Sequence, residues 1–334
     1  MLFYKDLEKI IFTRNQLLTC DELIIISGYV GPMPVLQLAD LPIKTTVIYG
    51  MYGADGIQTR LHNELLKCNS KLKNTNILYA TTPVHSKCYI WRNKGQVVHS
   101  LIGSANFSIN GLRTPYKEVL AETNSDTFQP LNEYLEIVIS NSIDCTKGAS
   151  KARNREIIIQ DFDASADDGT ATMPLFIEKN GIPEVPKKSG LNWGMGSLSG
   201  SHVNINDAYI PIRKAWLKRY VDLFPKKQKN PLEKSTGRGH RHNDAIEILW
   251  DDGTTMMGLL EGTQYMSSKN SETQYPKQIS SHPSKAIMGE YLRNRIKVPE
   301  GVAITFEDLE KYGRTTIDIS IQGEGIYYFD FSVQ

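Results

Sequence analysis

The chain has 334 residues, and its 38 Lys and Arg nearly balance its 37 Asp and Glu to leave a formal net charge of +1 at pH 7. That balance argues against a protein that coats nucleic acid through bulk charge, and the length predicts two domains with apolar content for two cores. No apolar run reaches the roughly 18 residues a membrane span needs, and Met1-Leu2-Phe3-Tyr4-Lys5-Asp6 lacks the basic-then-apolar order of a signal peptide, so a cytoplasmic location is expected.

Helical spacing runs from Asp6 to Leu18, and Glu22 to Tyr29 is the short apolar run of a buried strand. A helix-sized interval leads to a strand over Thr45 to Gly50. Gln58 to Lys67 reads as a helix and Asn76 to Ala80 as another strand. This β-α-β-α-β order predicts a mostly parallel sheet covered on both faces, with functional groups on loops and strand ends at one edge. Two further strands follow. The first carries His85-Ser86-Lys87; the second, with Val97, Val98, Leu101 and Ile102, runs into Gly103-Ser104-Ala105-Asn106-Phe107. A helix over Phe128 to Ile139 closes the half.

Between Gly148 and Thr172 apolar content falls and small and acidic residues accumulate, among them Asp161, Asp163, Asp167 and Asp168. The boundaries expected are therefore 1–160, a linker over 161–172, and 173–334. Beyond it the alternation is lost. Ala245 to Trp250 and Thr254 to Leu260 flank Asp251-Asp252-Gly253, a strong hairpin signal. A helix over Ser284 to Arg295 and strands over Thr315 to Ile321 and Ile326 to Val333 complete an α+β or barrel-like half. Residues 226 to 242 hold Lys226, Lys227, Lys229, Lys234, Arg238 and Arg241 against Glu233 alone, and Pro231, Gly237 and Gly239 make this a basic loop rather than a helix.

The chemistry concentrates in the two middle strands. Side chains two apart on a strand share a face, so His85 and Lys87 set an imidazole beside an ammonium, and the Gly-Ser-x-Asn turn brings the Ser104 hydroxyl and Asn106 carboxamide to the same anion. The tandem resembles the H-x-K…G-S-x-N signature of the phospholipase D superfamily. Four cysteines, Cys20, Cys68, Cys88 and Cys145, show no C-x-x-C spacing and read as reduced packing residues. His240-x-His242 has no third ligand of fitting spacing and sits in basic surroundings, and Gly190 to Gly200 lacks the Gly-Lys-Ser/Thr ending of a P-loop. No metal site and no ATP site are expected.

The order of parts, with Ser189-Gly190-Leu191-Asn192-Trp193-Gly194, Ala208-Tyr209-Ile210-Pro211-Ile212 and Tyr291-Leu292-Arg293-Asn294-Arg295, resembles NgoFVII-type restriction endonucleases over nearly the whole chain. The resemblance implies an α/β phospholipase D-like sandwich, which is also the dimerisation domain, followed by a mainly β pseudobarrel DNA-recognition domain like that of plant B-three transcription factors. It implies that His85 attacks phosphorus to form a phosphohistidine while Lys87, Asn106 and Ser104 hold the nonbridging oxygens. An acidic residue that orients the histidine is matched by Glu118, with Glu122 as the competing candidate. The Asp expected after the Lys in the fuller signature is replaced around Arg92-Asn93, which weakens a lipid-hydrolase reading. Only one H-x-K is present, so a complete site requires a homodimer.

For DNA, the resemblance implies two arms that enter the major groove. By chain order the first falls around Asn192, Trp193, Ser197 and Ser199 and the second around Gln264, Tyr265, Lys269 and Gln278, with Arg238 and Arg241 as phosphate binders. The expected partners are double-stranded DNA, a cognate methyltransferase and a helicase-like ATPase subunit through which any ATP dependence would act. The expected function is a sequence-specific, metal-independent type II-like restriction endonuclease. The alternatives are a phospholipase D-type phosphodiesterase acting on lipid, and a DNA-binding module with a silent nuclease half. The acidic stretch Asp161 to Asp168 is expected to occupy the phosphate groove at rest.

Overall fold

The computed structural model describes residues 1–114, 117–150, 169–196, 203–220, 222–227, 243–265 and 274–333. The chain forms two compact units, one of Met1–Asp163 with Gln322–Ile326 and one of Ala164–Ile321 with Tyr327–Gln334.

In the first unit the elements run β1 (Leu2–Phe3), α1 (Leu7–Thr13), β2 (Glu22–Ser27), α2 (Pro32–Gln37), β3 (Lys44–Tyr49), α3 (Tyr52–Asp55), α4 (Thr59–Lys71), β4 (Thr75–Ala80), β5 (Lys87–Asn93), β6 (Gln96–Gly103), α5 (Ile109–Arg113), β7 (Leu120–Glu122), α6 (Phe128–Ser140) and β8 (Ser142–Asp144). They build one sheet in the order β1-β7-β6-β5-β2-β3-β4-β8. β2 is a continuous apolar run because both of its faces are covered, and Leu23, Ile24, Ile25 and Ile26 are all fully buried. On one face Ile24 and Ile26 pack with Leu131, Leu135 and Val138, the apolar stripe that α6 presents at helical spacing. In α4, Leu61, His62, Leu65 and Cys68 are the buried positions. His62 Nδ1 meets the Tyr79 hydroxyl at 2.9 Å, and burial pushes the imidazole pKa down.

The sheet is less parallel than the alternation predicts. β2–β3 and β3–β4 are parallel, whereas β1–β7, β7–β6, β6–β5, β5–β2 and β4–β8 are antiparallel. The reason lies in connection length. A parallel return needs about a dozen residues or more, and the short segment between β4 and β5 contains no helix. β5 therefore enters beside β2 in the opposite sense. β6 then folds back through Lys94 and Gly95, both with positive φ (49° and 78°), as a tight hairpin requires. The β5 strand begins at Lys87, so His85 lies in the segment just ahead of it rather than within it.

The second unit contains β9 (Thr170–Pro174), β10 (Ile177–Lys179), β11 (Ile182–Glu184), β12 (Ile210–Pro211), α7 (Lys214–Arg219), β13 (Asp244–Trp250), β14 (Thr255–Glu261), β15 (Gln264–Tyr265), β16 (Gln274–Tyr275), β17 (Gln278–Ser281), α8 (Ala286–Ile296), α9 (Phe306–Tyr312), β18 (Thr316–Gly323) and β19 (Ile326–Asp330). Its main sheet has the order β12-β17-β14-β13-β19-β18-β9. β13 and β14 form the predicted hairpin around Asp252-Gly253, with Gly253 at φ 84° and Asp252 Oδ1 accepting from the Thr254 N–H at 2.9 Å. Trp250, Ile248, Ile317, Phe329 and Phe331 anchor the core, closed by Met288 and Leu292 of α8 and Leu309 of α9. No helix among the described residues is long and apolar enough to cross a membrane.

Arg295, the last residue of the Tyr291–Arg295 phrase, fastens α8 to this core. Its guanidinium holds both carboxylate oxygens of Asp251 at 2.6 and 2.8 Å, and donates to Tyr291 Oη at 2.9 Å, Tyr312 Oη at 3.1 Å and the Phe331 carbonyl at 3.0 Å. The rings of Tyr291, Tyr312 and Phe331 lie within 5.9 Å of it. A lysine has neither the planar fork nor the stacking surface for this place. Arg295→Lys is expected to lower the unfolding free energy by about 2–3 kcal/mol in urea titrations, and a loss under about 0.5 kcal/mol, the usual surface effect, would show the cage to be ornamental.

Candidate active site

Two strand ladders bring the functional groups to one sheet edge. β5 pairs with β6 so that Lys87 faces Gly103, and with β2 so that Cys88 faces Ile26. The end of β2, the start of β5 and the end of β6 therefore meet, and the loops leaving them carry Gly28, His85 and Ser104 to Asn106. Gly103 must be glycine because a Cβ there would stand 2.0 Å from the Val119 carbonyl oxygen. Ser104 N–H donates to that same carbonyl at 3.0 Å and Val119 N–H donates to Ser104 Oγ at 3.1 Å. Ala105 and Phe107 are fully buried on either side of Asn106, and the buried Tyr89 hydroxyl donates to the Ala105 carbonyl at 2.9 Å.

Lys87 is only 5% exposed. Its Nζ donates to the His85 carbonyl at 2.6 Å and lies 3.2 and 3.1 Å from the imidazole Nδ1 and Nε2. Burial pushes the Lys87 pKa down, opposed by the nearby Glu324 and Glu118 carboxylates. Asn106 is equally buried, with a fixed amide orientation: Oδ1 accepts from the Tyr29 N–H at 3.1 Å, which turns Nδ2 outward as a donor. Ser27 braces the same turn by accepting from the Phe107 N–H at 2.9 Å and donating to the Tyr29 carbonyl at 2.6 Å. The Tyr29 ring stands edge-on to the His85 ring at 6.2 Å, and its hydroxyl, bonded to Asp55 at 2.7 Å, is raised to about 12, chiefly by burial.

Gly28 lies directly against these groups. A Cβ at that position would lie 3.0 Å from His85 Cδ2, 3.2 Å from Lys87 Nζ and 3.4 Å from Asn106 Oδ1. An imidazole, an ammonium and the carboxamide oxygen thus close in on a backbone position that a side chain would crowd. The Lys87 ammonium and the outward Asn106 Nδ2 are the donors this cluster offers an anion, with the His85 imidazole as its nucleophile.

The two acidic candidates separate cleanly. Glu118 is hydrogen-bonded to Ser104, and its carboxyl pKa is raised chiefly by burial. Glu122 is taken up by the N-terminal ammonium at 3.2 Å and Arg14 at 3.0 Å, with His99 at 4.0 Å.

The expected DNA-reading residues fare unevenly. Asn192 is fully buried, donates to the carbonyls of Pro186 and Ile304 and accepts from the Ile304 N–H, so its amide holds a turn together. Gln264 donates to the carbonyls of Ile212 and Pro276, and Gln278 to Glu261, which also binds Lys285. Trp193 is 36% exposed and packs edge-on to Tyr209. The Tyr265 hydroxyl accepts from Gln274 at 3.3 Å. Ser197, Ser199, Arg238, Arg241, Lys269 and the acidic stretch Asp161 to Asp168 lie outside the described residues. Sequence reasoning passed over Ser27, Gly28 and Tyr29 as the tail of a strand; the available signal was their position at the end of a fully buried strand.

Residues 5–149 match the family model described as the NgoFVII restriction endonuclease N-terminal PLD domain, and residues 165–322 match that of the NgoFVII C-terminal B3-like DNA-binding domain. No curated protein matches the chain. Among solved structures it is similar to NucT from Helicobacter pylori, at 19% identity and a TM-score of 0.31 over 43% of this chain and 97% of that one. It is also similar to polyphosphate kinase from Porphyromonas gingivalis, at 10% identity and a TM-score of 0.26 over 40% of this chain and 20% of that one.

Two substitutions test the cluster. Gly28→Ala is expected to leave the melting temperature within a few degrees of the parent and to cut phosphodiester turnover by about 100-fold, because its methyl displaces His85 and Lys87 from their alignment; parental turnover would mean that the alignment of these two groups does not matter to the reaction. Lys87 has a folded pKa below its unfolded value, so its charge opposes folding fully below the folded pKa and the penalty fades as pH rises toward 10.5. Lys87→Met should therefore be more stable by on the order of 1 kcal/mol near neutrality, with the gain shrinking at alkaline pH. A stability loss at pH 7 in denaturant titrations would contradict this.

Proposed function

The chain belongs to the NgoFVII restriction endonuclease family, and from that premise we propose that it is a sequence-specific endonuclease that cleaves double-stranded DNA through a phosphohistidine on His85, at a site completed by a second copy of the chain. The observation that carries this reading is the clustering of His85, Lys87 and Asn106 around Gly28, with Lys87 Nζ beside the imidazole and Asn106 Nδ2 turned outward as a donor. A neutral imidazole nitrogen of His85 attacks phosphorus in line, the P–O bond to the 3′ oxygen breaks, and a protonated second histidine supplies that oxygen with its proton. Water, giving a proton back to the second histidine, then displaces the phosphorus from His85 and frees a 5′ phosphate. Lys87 and Asn106 hold the nonbridging oxygens throughout, and Ser104 donates beside them. Fixed donors of this kind contribute about 3–4 kcal/mol each to the transition state.

The second histidine is His85 of the other copy, since the chain carries one H-x-K. Glu118 fits this arrangement. Bonded to Ser104, it is the carboxylate assigned to orient the imidazole of the second copy. The charge on the phosphorane is neutralised by side chains, so the reaction needs no metal. The B3-like domain selects the sequence, with Trp193 and Tyr265 as the expected residues that keep an accessible face, and Arg238 and Arg241 binding phosphates. A methyltransferase protecting host sites and a helicase-like ATPase would act as separate subunits.

The decisive assay is cleavage of plasmid and phage DNA in excess EDTA, with and without a matched helicase-type ATPase and ATP. Discrete fragments that persist in EDTA and vanish with His85→Ala are expected. When His85→Ala protein is mixed with the parent, activity should fall as the square of the parental fraction, because only dimers with two intact histidines are active. A linear fall would contradict the shared site, and cleavage that survives His85→Ala would overturn the histidine mechanism.

A further inference from the structure

Lys117 and Glu324 belong to none of the motifs, yet both reach the active-site groups of the first unit. Glu324, in the turn between β18 and β19, places its Oε2 2.9 Å from Asn106 Nδ2 and its Oε1 3.4 Å from Lys117 Nζ. A single carboxylate thus bridges the outward-facing donor of the site's carboxamide and a lysine. Lys117 is itself held in place by donating to Asn110, a buried residue of α5. The neighbouring Gly325, at φ 69°, is pressed so close to Asn110 that a Cβ there would stand 2.3 Å from Asn110 Cβ. The turn is therefore seated firmly, and Glu324 can reach Asn106 only because its neighbour has no side chain.

From these contacts we infer that Asn106 and Lys117 form a seat for a phosphodiester oxygen pair, which Glu324 occupies in the free protein and DNA must empty. A carboxylate and a phosphodiester each offer one negative charge spread over two oxygens, so donors arranged for one accept the other. Lys117 then becomes a phosphate-binding residue beyond the H-x-K and G-S-x-N set. Its exposure supports displacement: the Lys117 and Glu324 side chains are 33% and 45% exposed, and ion pairs so accessible to water are weak. A DNA strand, bringing several phosphates at once, outcompetes one such contact. The seat rests on the DNA-binding part of the proposed function, since it presupposes that Asn106 faces a DNA phosphate.

The test measures binding, so that it does not depend on cleavage. The full-length chain carrying His85→Ala is titrated with a short fluorescent DNA duplex at several salt concentrations. Glu324→Gln is expected to tighten binding by about tenfold and to steepen the slope of log affinity against log salt by up to about 0.9, the value of one phosphate contact. Lys117→Met should weaken binding and flatten the slope by a similar amount, and should remove the gain in slope from Glu324→Gln in the double variant. Asp126→Asn, which removes an exposed charge in the turn before α6, controls for net charge. If Glu324→Gln does no more than Asp126→Asn, or if Lys117→Met leaves the slope unchanged in folded protein, the seat is refuted. Melting curves establish folding, and Glu324→Asp, which keeps the charge and shortens the reach, serves should Glu324→Gln unfold. Parallel cleavage by chains with intact His85 separates the two readings: altered slopes without any DNA cutting would overturn the nuclease reading and keep the seat, whereas cutting with unaltered slopes would overturn the seat alone.

Discussion

β5 is hydrogen-bonded to β2 on one side and β6 on the other, and the register of those two ladders decides whether a phosphate can be held at all. Lys87 opposite Gly103, and Cys88 opposite Ile26, align three strand ends at one edge. A slip of one residue would turn Lys87 to the other face and bring the Cys88 thiol to the site in its place. The fully buried isoleucines of β2 make such a slip expensive, because they would exchange the packing of both sheet faces. The core on which α6 rests is thereby the device that aims the ammonium. Fold stability and chemistry meet in the same hydrogen-bond ladder.

The aiming has a cost that stays local. Lys87 is held as a cation in a place that disfavours cations, and Asn106 is buried with one face committed to the Tyr29 N–H. Neither group can relax toward water when substrate is absent. The Glu324 carboxylate answers both at once, by accepting from Asn106 and by adding negative potential beside Lys87. The free protein thus resembles an occupied one, and the groups that would bind a phosphate need little rearrangement when one arrives.

Much of this was legible in the chain. Hydrophobic periodicity located β2, β3, β4, β6, α4 and α6 within a few residues, and the Asp252-Gly253 signal located its hairpin, because each is a local pattern. The H-x-K and G-S-x-N pairs were legible for the same reason. What periodicity could not convey was strand direction: the connection before β5 is too short for a crossover, and that fact outweighs the β-α-β rhythm that precedes it. Nor could it convey contacts between distant positions. Gly28 matters through side chains far along the sequence, and Glu324 through a partner some two hundred residues away. Asn192 is a further case, since an amide in a Gly-rich segment looks exposed until its bonds to Ile304 are seen.

A site made of an imidazole, an ammonium and a carboxamide responds to charge and is indifferent to which nucleobase hangs from the sugar. The blade of the molecule is illiterate. Every letter it obeys has to be spelled out by some other surface, so cutting chemistry and target choice are free to drift apart in evolution, one held constant while the other is rewritten.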